Sequence, residues 1–478
     1  VSSTRTSLLF SFLEKYALLV MALGGAMIMA RLLTPEETGV YSVGAVLLGM
    51  AQVLRDFGVG QYVVQERDLG QDKLRAVLAT SFLFAWTLAG AIAGLSVPVA
   101  WFYGEPRLAP LLQLLSLNFL LLPFSSITLP MLRREMRFGA ICAINLTHGL
   151  CHFSVSLSLA WRGFGFMSLA WASVAATFAA LLLSLWLRPA RLPWLPARAG
   201  MRRVIAFGAY ATGGNLIDEA GVAAPDLIIG KLLGMDAVGI FSKALGVLGV
   251  FNKAITSAVS PVVYPLYAAT ARADGDVNQV YLRTVSYMTA FAWPFFAWVA
   301  LTALPVLRLL YGGQWDAAAP LIRIMCLSSA VYSMSSMARY LFVATGQVKA
   351  QARLDALAVP VRIVLLLLAA PFGLAAIAWA VVAGALARAW LTMRYLTAGN
   401  RIAPADVAGA AAKSVPLTAI SMLAPACLLL LPEASMADSA RGAAAALLLW
   451  VAGIVLLRHP LLDEIKLVRR KLAAALSH

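Results

Sequence analysis

Charge is what this chain has least of: Asp, Glu, Lys and Arg make up 13% of its 478 residues, against 61% hydrophobic and a mean hydropathy of +0.83. That excludes the surface of a water-soluble protein and describes a polytopic membrane protein. Cysteine is scarce too. Cys142, Cys151, Cys326 and Cys427 all fall in apolar runs, where they act as small hydrophobes and not as a disulfide framework. No G-x-x-x-x-G-K-[ST] occurs, so the chain is not itself a P-loop ATPase. Outer loops are short, leaving no room for the extramembrane domain expected of a membrane glycosyltransferase, ligase or polymerase, and the chain reads as a non-enzyme.

What is present is a series of apolar stretches, each long enough to cross about 30 Å of hydrocarbon as a helix. Fourteen spans are expected at 7–33, 38–64, 76–102, 109–131, 138–160, 164–187, 203–231, 236–268, 281–310, 317–344, 354–371, 373–397, 408–431 and 439–457. The first carries Glu14 and Lys15 and exceeds a signal-peptide h-region, so it reads as a retained span. Only the Pro371 to Gly373 turn separates spans eleven and twelve.

Most of the 38 basic residues fall on one side of this arrangement, while Arg31, Arg107, Arg162, Lys231, Arg308 and Arg441 fall on the other. The positive-inside rule makes the richer side cytoplasmic, with both termini there. The net charge of +16 is then mainly a topology signal, with attraction to anionic membrane lipids as a side effect, and not a sign of nucleic-acid binding. The tail from Leu461 to His478 reads either as an inner-leaflet helix or as a solvated terminus.

The chain repeats itself. RLLTPEETGVYSV at 31–43 matches KLLGMDAVGIFSK at 231–243, pairing Gly39 with Gly239 and Ser42 with Ser242. WFYGEPRLAPLLQLLSL at 101–117 then resembles LLYGGQWDAAAPLIRIMCL at 309–327. Coincidence between apolar segments is the competing reading, and two matches in the same order argue against it. The interval holds six spans, an even number, so both copies leave the membrane on the same face as parallel repeats. The expected architecture is an all-α integral membrane protein: a six-helix lobe over 1–190, a linker over 191–202, a second lobe over 203–400, and two further helices with a tail over 401–478. A cleft between rocking lobes suits a transporter. Locally, Thr34 is a candidate N-cap, Pro35 fits the first helical position, Glu37 can complete a capping box, and Gly39 allows close packing.

Charges inside spans cost about 2.5–3.5 kcal/mol each at a helix centre, so they are expected to line a wet interior. The cations are Lys15, Arg55, Lys243, Lys253, Arg323, Arg339, Arg362 and Arg388; the acids are Glu14, Asp56, Asp218, Glu219 and Asp226. Arg339 and Arg388 sit near cytoplasmic ends, where snorkelling competes. Lys243 and Lys253, about 80° apart around a regular helix, could face one cavity. Lys15, Arg55, Lys243, Lys253, Arg323 and Arg362 therefore form a candidate diphosphate site. The acids either pair with these cations or bind a coupling H+ or Na+. In CAINLTHGLCHFSVS, Asn145, His148 and His152 share one face; lining a cleft is favoured over metal ligation, and no metal or cofactor is expected.

The segment ARLLTPEETGVYSVGAVLLGMAQVLRDFGVGQYVVQERDL at 30–69 resembles the N-terminal signature of bacterial polysaccharide transporters, the Wzx-type oligosaccharide flippases of the multidrug/oligosaccharidyl-lipid/polysaccharide exporter (MOP) superfamily. DLIIGKLLGMDAVGIFSKALGV at 226–247 resembles the same family's seventh and eighth helices. The resemblance implies a V-shaped central cavity and cation- or potential-driven alternating access. The implied substrate is an undecaprenyl-diphosphate-linked oligosaccharide unit, moved across the bacterial inner membrane for exopolysaccharide or lipopolysaccharide synthesis. It also implies partners in polysaccharide polymerase and export machinery. The alternative within the same fold is a multidrug/cation antiporter.

Overall fold

A computed structural model describes residues 2–66, 68–429, 436–464 and 466. Arg67, the segment 430–435, and residues 465 and 467–478 of the tail expected on the inner leaflet lie outside them. Among the described residues there is no β-strand. The chain divides into two compact units, Val1–Ile240 and Phe241–His478.

In the first unit the helices are α1 (Ser2–Leu32), α2 (Pro35–Asp56), α3 (Val59–Gln65), α4 (Gln71–Tyr103) and α5 (Leu108–Leu121). They continue as α6 (Thr128–Arg134), α7 (Phe138–Trp161), α8 (Met167–Trp186) and α9 (Met201–Leu232). Helix α10 (Met235–Phe251) begins in this unit and runs into the second. There follow α11 (Ser257–Arg272), α12 (Val277–Leu301), α13 (Ala303–Tyr311), α14 (Ala319–Ser333) and α15 (Ala338–Ala344). The last are α16 (Val348–Ala369), α17 (Leu374–Asn400), α18 (Pro404–Ala412), α19 (Ser414–Leu429) and α20 (Met436–Leu456).

Thirteen stretches among the described residues are long and apolar enough to cross a membrane, which makes this a multi-pass membrane protein. The expected seventh span is the one that misses the criterion. It is nonetheless a continuous helix, α9, and it carries Asp218, Glu219 and Asp226 along its length.

Several expected spans are broken, each at a local cause. Span two stops at Asp56 because Phe57 (φ 33°) and Gly58 (φ 65°) both take left-handed backbone. Span four is interrupted by a 3₁₀ turn, Leu122–Ser125, opened by Pro123. Span eight contains a π-helical turn at Asn252–Thr256, so the 80° separation of Lys243 and Lys253, which assumed a regular helix, does not carry over.

The repeat runs deeper than the two quoted matches. The seven-residue helices α6 and α15 occupy corresponding places, and α7 starts at Phe138 as α16 starts at Val348. Just before those starts, Met136 (φ 56°) and Gly346 (φ 76°) share a left-handed conformation. The motif at 31–43 also meets its copy directly. A Cβ on Gly39 would overlap the carbonyl oxygen of Met235, and a Cβ on Gly239 would overlap that of Pro35. Each glycine thus accepts the first residue of the opposite helix, a reciprocal contact that no larger residue permits.

The start of α2 has the expected cap. Glu37 N–H donates to Thr34 Oγ1 at 3.2 Å, and Thr34 N–H donates to Glu37 Oε2 at 3.0 Å. Outside it, Arg107 Nε donates to Glu105 Oε1 at 2.7 Å, and the same guanidinium bonds Glu36. Arg107 thereby holds the Glu105 carboxyl below the usual carboxylate range.

In the second unit, α12 is the central helix, packed by α14, α18 and α19. Its polar positions anchor the C-terminal elements. Buried Ser286 meets His459 Nε2 at 3.2 Å, Thr289 meets Ser414 at 2.8 Å, and Trp450 Nε1 donates to Ala290 O at 2.8 Å. Leu461 N–H donates to His459 Nδ1 at 3.2 Å, so the proton of the neutral ring sits on Nε2 and points at Ser286.

Candidate functional site

Four of the expected residues, Arg55, Asp56, Asp218 and Glu219, converge on one cavity of the first unit, about 690 Å³ in volume. Local sequence explains the hollow. The left-handed turn at Phe57–Gly58 swings α3 away from the axis of α2, and Phe57 stacks on Phe84 of α4 with ring centroids 4.2 Å apart. Gly208 lets α9 close on this turn, since a Cβ there would overlap the carbonyl oxygen of Phe57. Beneath it, α3, α4, α6 and α9 share an apolar base that includes Tyr62, Val63, Val77, Ile127, Met131 and Val204.

Helix α9 contributes Thr212, Asn215, Asp218 and Glu219, spaced so that they share one face. Gly49 on α2 leaves the room that the Glu219 carboxylate enters. Opposite, Arg55 and Asp56 form an ion pair in which Nε donates to Oδ1 at 2.9 Å. The rest of the wall includes Gln61, Ser81, Ser125, Ser126 and Arg133. Ser125 and Ser126 donate to the carbonyls of Leu122 and Pro123, which leaves their oxygens as acceptors. Thr212 is 5% exposed and its hydroxyl has no hydrogen-bond partner.

Sequence reading missed Arg133, Gln61, Asn215 and Thr212. Arg133 and Arg134 are neighbours on α6 yet differ: Arg134 Nη1 donates to Val63 O at 3.0 Å and caps α3, while Arg133 reaches the cavity. The spacing of Thr212 and Asn215 ahead of Asp218 was the available signal.

The remaining residues lie elsewhere. Asn145 Nδ2 donates to Glu14 Oε1 at 2.6 Å, tying α7 to α1, and Lys15 is exposed beside it on α1. His148 and His152 stack with centroids 6.4 Å apart. Asp226, further along α9, is 9% exposed and its Oδ1 has no hydrogen-bond partner.

In the second unit, the Lys243 ammonium lies 4.9 Å from the ring centroid of Trp315 and 5.2 Å from that of Tyr311. Lys253 is exposed on the π-helical turn, and Arg323 is exposed on α14. Arg388 Nη2 donates to Asp355 Oδ1 at 2.7 Å, and Gln351 donates to the other oxygen at 2.6 Å. Arg362, on the neighbouring helix α16, packs along Gly384 and has a buried Nε without a partner.

The bundle of apolar helices that shelters these charged and hydrogen-bonding side chains has a fold seen in solved structures of membrane transporters. It resembles the lipid II flippase MurJ in an inward closed conformation, with a TM-score of 0.70 at 12% identity over 94% of this chain and 99% of that one. A multidrug-resistance MATE family transporter of the MOP superfamily gives 0.66 at 14% identity, over 81% and 96%. The chain belongs to the polysaccharide biosynthesis protein family, whose profile matches residues 28–320.

Curated relatives carry the same stamp. The teichuronic acid biosynthesis protein TuaB of Bacillus subtilis is 22% identical over 58% of this chain. The lipopolysaccharide biosynthesis protein WzxC of Escherichia coli is 20% identical over 67%, and the succinoglycan biosynthesis transport protein ExoT of Rhizobium meliloti is 23% identical over 65%. The matches span 58%, 66% and 63% of those relatives' own lengths.

Proposed function

We propose that this chain is a flippase carrying polyprenyl-diphosphate-linked oligosaccharide units, of the undecaprenyl type, from the cytoplasmic to the periplasmic leaflet of a bacterial inner membrane. The observation that carries the reading is a large cavity lined by charged and hydrogen-bonding groups within apolar spans, in a member of the polysaccharide biosynthesis family. Relatives named for succinoglycan transport and lipopolysaccharide biosynthesis support it, as does a fold shared with a lipid II flippase.

The substrate divides into three parts with different needs. Its polyprenyl tail stays in lipid, its sugars cross in water, and its diphosphate requires cations. Lys253 and Arg362 suit the diphosphate best: one is exposed on a π-helical turn, the other carries a buried donor without a protein acceptor. Lys15 and Arg323, both exposed, are further candidates, as are Lys243, which lies over two rings, and Arg55, which pairs with Asp56. Among the acids, buried Asp226 is the candidate to take up a coupling H+ or Na+ as the lobes alternate. Both termini lie in the cytoplasm, and polymerase and export components would receive the product.

An organic cation would prefer an acidic path without Lys253 and Arg362, which disfavours the antiporter. The test uses proteoliposomes and a fluorescent polyprenyl-diphosphate disaccharide, with translocation read by quenching of the outer leaflet. Lys253→Ala combined with Arg362→Ala is expected to slow translocation at least about tenfold. Unchanged translocation would overturn the cationic site.

A further inference from the structure

We infer that the cavity of the first unit is a sugar-recognition subsite, built for an uncharged sugar of the translocated unit and set against acidic ones. The inference rests on the flippase reading and extends it from the diphosphate to the saccharide.

Its volume comes first. About 690 Å³ is far larger than any bare ion needs and lies within the roughly 300–1,000 Å³ of small-molecule pockets. Charge comes next. Three carboxylates, Asp56, Asp218 and Glu219, face two guanidiniums, Arg55 and Arg133. The Glu219 carboxylate, which enters the hollow beside Gly49, repels a diphosphate or a uronate, while the two arginines work against a site devoted to a cation. A polyhydroxyl ring satisfies both sets at once, because each hydroxyl donates to a carboxylate and accepts from a guanidinium or amide.

The Arg55–Asp56 pair sets a fixed donor beside a fixed acceptor, which matches two neighbouring hydroxyls of one ring. Asn215 and Gln61 add amides that can do the same. Independent of the charges, the Thr212 hydroxyl is buried in this wall without a protein partner, and a buried polar group in that state calls for a ligand or water. Phe57, stacked on Phe84, adds an apolar group to this wall.

Binding of the full-length protein in lipid nanodiscs to three synthetic lipids tests this: a polyprenyl diphosphate bearing glucose, one bearing glucuronate, and one with no sugar. Wild type is expected to bind the glucose lipid most tightly and the glucuronate lipid most weakly. Asn215→Ala should weaken the glucose lipid by about three- to tenfold and leave the sugar-free lipid unchanged. Glu219→Gln should narrow the gap between glucuronate and glucose. Thermal unfolding close to wild type qualifies each variant, and Gln61→Ala, at an exposed position, replaces any that fails.

Equal binding of the glucose and sugar-free lipids by wild type overturns the subsite and leaves the flippase reading standing. Loss of sodium-dependent binding in Asp218→Asn and Glu219→Gln, with sugar discrimination intact, overturns it in favour of a cation site. Failure to bind any of the three lipids overturns the flippase reading itself.

Discussion

The copies at 31–43 and 231–243 keep the same contact and lose the same chemistry. Gly39 and Gly239 receive each other's helix starts, so both are held by backbone geometry. Four residues later the copies part. Val43 is fully buried and packs beside Gly230 near Tyr103, whereas its counterpart Lys243 sits over Tyr311 and Trp315. A repeated fold thus conserves what closes helices together, and diverges where side chains reach past that contact.

Replacing Gly39 with alanine strikes what the copies share and should have the largest effect. The added methyl overlaps a backbone carbonyl that cannot rotate away, at a cost of about 3 kcal/mol. Thermal unfolding in detergent measures it. Gly239→Ala should cost a similar amount, and the double variant less than the sum, because one separation of the helices relieves both clashes. Full additivity would show the two contacts to be independent.

The turns before α7 and α16 sharpen the comparison with opposite signs. Met136 holds a left-handed conformation that its counterpart Gly346 adopts without strain. Met136→Gly is therefore expected to raise stability by up to about 1 kcal/mol, and Gly346→Ala to lower it by about 1 kcal/mol. Two losses would break the structural equivalence.

Lys243→Met removes the charge from the aromatic pair while keeping the length of the side chain. Cation–π contacts contribute about 0.5–2 kcal/mol, and removal of an intramembrane charge offsets them, so stability should change by less than about 1 kcal/mol. Tryptophan fluorescence should report the change at Trp315 even where the unfolding temperature does not.

The smallest effect concerns the turns that precede α5 and α14. Glu105 is paired with Arg107 in the first copy, where the second has Gly313 and instead joins Arg308 to Asp316 at 2.9 Å. With its folded pKa depressed, Glu105 stabilises the turn above the unfolded value of about 4.3, and that stability is lost as pH falls through the lower folded value. Because Arg107 is well exposed, the gain is below about 1 kcal/mol. Glu105→Gln should flatten the pH dependence of unfolding in that acid window.

Much of this was legible beforehand for reasons that particular residues make plain. The cap at Thr34, Pro35 and Glu37 is a local pattern of four residues, so it could be read without knowing any neighbour. Gly39 could be read as a close-packing site, though not what packs there. Asp355 shows the limit: it lay unremarked in span eleven, and only the pairing of α16 with α17 brought it to Arg388. Span eight shows another, since no proline or glycine marks the π-helical turn at Asn252–Thr256.

The sequence by itself determined the spans, the helix cap and the existence of a repeat, because apolar length, capping chemistry and self-similarity are properties of neighbouring residues along the chain. Only the tertiary structure decided which intramembrane charges meet: Arg388 with Asp355, Lys243 with two rings, and Arg55 and Asp56 with the acids of α9 in one cavity. The physical reason is that a charge chooses its partner across a helix–helix contact, and that contact is set by close packing and not by position in the chain.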